Sequence, residues 1–116
     1  MIPEIEHNLV NELKLSPIQS KIFLLITIHG KMTPQKISEN LKIEESLAKQ
    51  TCTELIGLGA FIDISESEFE AMHPRFTVVN MYRRMCEREN IEFKRNKLVD
   101  SIGVLLEKPY DDVRTK

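Results

Sequence analysis

Residues 32–74 read MTPQKISENLKIEESLAKQTCTELIGLGAFIDISESEFEAMHP, and the punctuation of this stretch decides the fold. Thr33 before Pro34 is an N-cap with proline at the first helical position. Ile37 and Leu41 then fall on one side of a short helix of about two turns. A brief link, Lys42 to Glu44, leads into ESLAKQTCTELIGLG. There Leu47, Thr51, Leu55 and Leu58 recur at helical spacing, with Cys52 and Ile56 beside them. Gly59 is the expected stop. AFIDI and EFEAM alternate in part on either side of SESE, which predicts a small hairpin packed through Ile62, Ile64, Phe69 and Met72.

Working outward, Pro3 with Glu4 and Glu6 predicts a helix start, and Ile5, Leu9 and Leu13 give that helix one apolar face, to about Lys14. Ser16, Pro17 and Gln19 spell a capping box with proline at N1. The helix that follows is apolar nearly all round and closes at Gly30, so it is the expected centre of the core. Downstream, Pro74 opens a long helix with a break near Asn90. Leu98, Ile102 and Leu105 form the stripe of a last helix, widened by Val99 and Leu106, and Pro109 is its expected stop. The predicted class is mainly α with a small β-hairpin: a winged helix-turn-helix followed by long C-terminal helices. The expected division is 1–74 for the winged-helix domain, 75–108 for C-terminal helices that dimerise, and 109–116 for a tail.

The 116 residues allow one domain. A hydrophobic share of 41% against 29% charged residues is that of a globular chain, not a disordered one. No apolar run approaches the roughly 20 residues of a membrane span. The opening MIPEIEHNLV lacks the pattern of an export signal, so a cytoplasmic setting with Cys52 and Cys86 as free thiols is expected. Charge is uneven. Residues 1–74 carry six Lys, no Arg and eleven acids, a net of −5, whereas residues 75–116 carry ten bases and seven acids, a net of +3.

The run from Glu12 to Ile64 resembles the DNA-binding domain of archaeal TrmB-type transcriptional regulators, which are close in form to MarR-type proteins. The matching marks are LKLSPIQSKIF, then MTPQKISENL one residue after Gly30, then LIGLGAF at the exit of the second helix of the pair. The likeness covers Leu13 to about Pro74. It implies an α-rich winged helix, dimeric through helices outside that core, with duplex DNA as its partner. Two positions depart from the family pattern. Glu44 and Glu45 stand where a basic or small polar residue commonly begins the recognition helix. Glu68 and Glu70 flank Phe69 where the family wing typically carries arginines.

The residues themselves set up both sides of the question. The outward face of the recognition helix should show Ser46, Lys49, Gln50 and Thr53 beside Glu45, and Lys and Gln can read guanine and adenine edges. Lys36, Lys42 and Arg75 are candidate contacts to the DNA backbone. Any solvated helix shows such residues, however, and the hairpin carries Asp63, Glu66, Glu68 and Glu70 with no base, which opposes phosphate contact. Arg75, Arg83, Arg84, Arg88, Lys94, Arg95 and Lys97 form a second basic tract, readable as a solvated face or as a surface for DNA flanks or an acidic partner. The helix from Pro74 also carries more apolar residues than one small core covers. Val79, Tyr82, Cys86, Leu98, Ile102 and Leu105 are therefore candidate homodimer contacts. No glycine-rich phosphate loop, HExxH or CxxC is present, so neither enzyme, cofactor nor metal is expected. The reading is a homodimeric winged-helix regulator on duplex DNA. Its alternative is a protein-interaction module of the transcription machinery.

Overall fold

A computed structural model describes every residue except Met1, Glu66 and Lys116. Six helices and one hairpin follow in the order α1 (Ile2–Leu13), α2 (Pro17–His29), α3 (Pro34–Leu41), α4 (Glu45–Gly57), β1 (Phe61–Ser65), β2 (Glu68–Ala71), α5 (Pro74–Glu89) and α6 (Lys97–Arg114). The caps behave as their residue types dictate. The Ser16 hydroxyl accepts from the Gln19 N–H while the Gln19 side chain accepts from the Ser16 N–H, and Thr33 accepts from Lys36 N–H. Asn90 ends α5 in a left-handed conformation at φ 55°, as the break in the sequence implied.

One interior holds everything together. Phe23, Ile22 and Ile26 of α2 are fully buried, with Leu9 of α1, Leu55 of α4, Val78 of α5 and Ile102 and Leu106 of α6 in the same cluster. The helices of residues 75–114 thus complete the core of the first 74 residues. β1 and β2 pair antiparallel, and Phe61 stacks on Phe23 with ring centroids 6.2 Å apart. Met32, in the link before α3, bridges to Phe69 through two backbone hydrogen bonds of 3.1 and 2.9 Å. That third piece of sheet was invisible in a single apolar residue.

Four expectations are corrected. First, Ile62 and Ile64 are exposed at 41% and 44%; the hairpin packs through Phe69, as expected, and through Phe61 and Ala71. Second, α4 buries Ala48, Thr51, Cys52 and Leu55, leaving Leu47 exposed at 39%. Third, α6 buries Val99, Ile102 and Leu106 of the expected face together with Gly103, while Leu98 and Leu105 are exposed. Fourth, Pro109 does not stop α6, which runs on to Arg114, so residues 109–114 are helix and not a loose tail. Proline inside a helix forfeits a backbone hydrogen bond and costs about 3 kcal/mol. The last turn repays this through Arg114 and Tyr110. The Arg114 guanidinium donates to the carbonyls of Ile26 and Thr27 at 2.9 and 2.8 Å, and it pairs with Glu70 at 2.5 Å. The Tyr110 hydroxyl donates to the Ala71 carbonyl at 3.2 Å, and its ring lies 3.8 Å from the Arg114 guanidinium carbon.

Both cysteines are free and buried. Burial pushes the Cys52 thiol up to about 12. The native state therefore holds that proton more tightly than the unfolded chain does, and this contribution to stability is full below about pH 9 and is lost as pH rises toward 12. Cys52 is accordingly expected to resist a thiol-directed reagent at pH 8 in the native protein and to react at once in denaturant. Rapid native labelling, followed by mass spectrometry, would contradict the burial.

Candidate nucleic-acid interface

The candidate face is built by α3 and α4. Ile37 of α3 is fully buried and sets the helix against the core. Lys42 then closes α3 in a left-handed conformation at φ 57°, and the Ser38 hydroxyl donates to the Ile43 carbonyl at 2.5 Å, fixing the turn into α4. With Ala48, Thr51, Cys52 and Leu55 turned inward, Ser46, Lys49, Gln50 and Thr53 all lie on the exposed side of α4, as the spacing requires. All four occupy one continuous surface. Lys36 and Lys42 are also exposed, on the preceding helix and its cap.

The side chains on that surface differ in how free they are. Among the described residues Ser46 and Lys49 take no side-chain hydrogen bond or ion pair. The Gln50 amide donates to Glu54 at 3.2 Å, and the Thr53 hydroxyl donates to the Lys49 carbonyl at 3.0 Å. Glu54 is held from the other side by the Gln19 amide at 3.0 Å. Gln50 would thus exchange one partner for a base edge. Glu44 is the N-cap of α4 without a side-chain cap bond, and Glu45 lies in the first turn. Carboxylates there suit the positive end of the helix and occupy the place a phosphate would seek.

Arg75 does not join this face through the contacts it makes. Its guanidinium lies 3.8 Å from Glu107 and its backbone lies against Gly103, both on α6. Three of the other six bases of the second tract are paired: Arg83 with Glu87, Lys94 with Glu92, and Arg95 with Asp100. Arg84 donates to the Gly57 carbonyl at 3.1 Å, where a cation complements the C-terminal end of α4. Arg88 and Lys97 take no ion pair among the described residues, so the tract stays net basic on the exposed surface.

The hairpin acids divide. Glu70 is the partner of Arg114, at side-chain exposures of 21% and 16%, so it serves the fold. Sequence reasoning missed this because Arg114 was assigned to a tail. Asp63 is exposed and Glu68 half-buried, while Glu66 lies outside the described residues.

The dimer candidates also divide. Cys86 and Ile102, 1% and 0% exposed, are interior residues and are corrected: neither can meet a partner without opening the core. Tyr82 is half-buried, its ring 5.9 Å from that of Phe93. Val79, Leu98 and Leu105 are exposed, joined by Phe76 at 59% and Val104 at 53%. Val79, Tyr82 and Phe93 line a groove between α5 and α6 that continues past Arg95 and Asp100 to Val104.

Comparison with known proteins yields no match: no family model, curated relative or solved structure matches this chain. The likeness to TrmB-type regulators rests on the quoted residues alone. No helix among the described residues is long and apolar enough to cross a membrane.

Proposed function

We propose that the protein is a winged-helix transcriptional regulator that binds duplex DNA as a homodimer. The observation that carries this reading is the exposed face of α4, where Ser46, Lys49, Gln50 and Thr53 share one surface backed by α3. A helix so presented fits the major groove, and Lys49 and Gln50 have the donors that base edges require. Lys36 and Lys42 supply backbone contacts from the adjoining helix. Dimerisation uses the exposed apolar residues of α5 and α6, Phe76, Val79, Val104 and Leu105.

The test is fluorescence anisotropy of labelled duplex DNA at several salt concentrations. Binding with a log–log slope equivalent to several phosphates is expected, about −0.9 for each. Lys49→Glu should weaken that binding by about tenfold or more, since it removes a donor and adds a like charge to the phosphates. Unchanged affinity would remove α4 as the reader. Light scattering should give twice 13.5 kDa; a mass of one chain at micromolar concentration would reject the dimer.

A second reading is favoured by Glu44 and Glu45 at the start of α4 and by Asp63 and Glu68 on the hairpin. In it the same fold is a protein-interaction module of the transcription machinery. No DNA binding at low salt would select it.

A further inference from the structure

We propose that His73, Glu107 and Asp111 form a binding site for a divalent first-row transition ion, with zinc as the reference ion. His73 stands at the exit of the hairpin as the N-cap of α5. Glu107 and Asp111 lie four residues apart on α6, which places both carboxylates on one side of that helix. Their donor atoms and an imidazole nitrogen of His73 all lie within 4.8 Å of one another. One imidazole and two carboxylates are a donor set that zinc accepts.

The geometry needs little change. A tetrahedral ion with bonds of about 2.1 Å holds its donors about 3.4 Å apart. His73 Nε2 and Glu107 Oε2 stand 3.5 Å apart already. Rotation of the half-buried Asp111 side chain brings in the third donor, and water completes the shell. The surroundings orient two of the ligands. Arg75 approaches the other Glu107 oxygen, Oε1, at 3.8 Å and leaves Oε2 directed at His73. The Tyr110 ring meets the His73 ring edge-on at 5.3 Å, limiting its rotation. Such outer partners orient ligands at metal sites.

Two features oppose the ion and must be overcome. Arg75 brings a positive charge to the same carboxylate. His73 Nδ1 accepts from the Arg75 N–H at 3.3 Å, and coordination through Nε2 moves the ring proton to Nδ1, so this long cap contact is given up. In exchange the ion ties the exit of the hairpin to α6, beside the Arg114–Glu70 pair.

The experiment is calorimetric titration of zinc into the 116-residue chain after treatment with chelator, with cobalt absorption as a second readout. One ion per chain is expected, with a rise in thermal midpoint as zinc is added. Asp111→Asn removes a ligand while leaving the α5 cap and the Glu107–Arg75 pair in place. It should weaken zinc by at least about tenfold, a loss no smaller than that from disturbing an outer partner. His73→Gln should do the same, with far-UV circular dichroism reporting that each variant folds. Absence of saturable uptake overturns the proposal. So does uptake unchanged in Asp111→Asn, which would place the ion elsewhere, for example at His7 or His29.

Discussion

Arg114→Ala is expected to destabilise the protein by about 3 kcal/mol, at the lower end of what breaking a buried ion pair costs. The residue lies in the last turn of α6, beyond Pro109. Its guanidinium satisfies the carbonyls of Ile26 and Thr27 in the last turn of α2, pairs with Glu70 and covers the Tyr110 ring. Removing it leaves a mostly buried carboxylate without its cation and takes a donor from two carbonyls near the end of a helix. A fall in thermal midpoint of roughly 10–15 °C should follow. Glu70→Gln should cost less in the Arg114→Ala background than alone, because the unpaired charge is then gone. A midpoint within about 2 °C of the parent would mean that the last turn of α6 does not hold the fold.

Gly103→Val should cost about 2–3 kcal/mol, the upper part of the range for overpacking. A Cβ at Gly103 would lie 2.8 Å from the Arg75 Cα and 3.2 Å from a Val78 methyl. The nearest atom is backbone, so relief requires α5 and α6 to move apart. The lower urea midpoint should come with an unchanged slope. Gly57→Val in α4, where an added Cβ meets nothing within 4 Å, should change stability by less than about 0.5 kcal/mol. Equal effects at the two positions would place the crossing elsewhere.

Glu70 changes how the acidic hairpin is understood. On the sequence all four hairpin acids oppose phosphate contact alike. In the fold Glu70 is paired with Arg114, and only Asp63 and Glu68 among the described residues remain to weigh against DNA. The proposed DNA contact therefore relies on α4 and α3, with the hairpin anchored to the core through Phe61, Phe69 and Ala71.

Element order was legible because it is encoded locally. Ser16 with Pro17 and Thr33 with Pro34 start helices through their own side chains, and Gly30 and Asn90 end them, each within a few residues of the bonds it makes. The exposed face of α4 followed from periodicity alone, and Ser46, Lys49, Gln50 and Thr53 lie on it. Which face of a helix is buried was read less well, for one reason in both α4 and α6. Apolar size pointed to Leu47, Leu98 and Leu105, yet the buried faces include Ala48 and Gly103, where a small side chain lets a neighbour approach. Sequence spacing counts large apolar groups and cannot see the partner that a small residue admits.

By itself the sequence determined the helix–helix–hairpin order, the caps and the outward residues of α4, since these depend on contacts within one or two turns. Only the tertiary structure decided that α6 continues through Pro109, that Met32 extends the sheet to Phe69, and that Glu70 belongs to Arg114. It also brought His73 within reach of Glu107 and Asp111. Each of these joins residues more than 30 positions apart, and no local pattern encodes which distant group will arrive to complete a hydrogen bond or a charge.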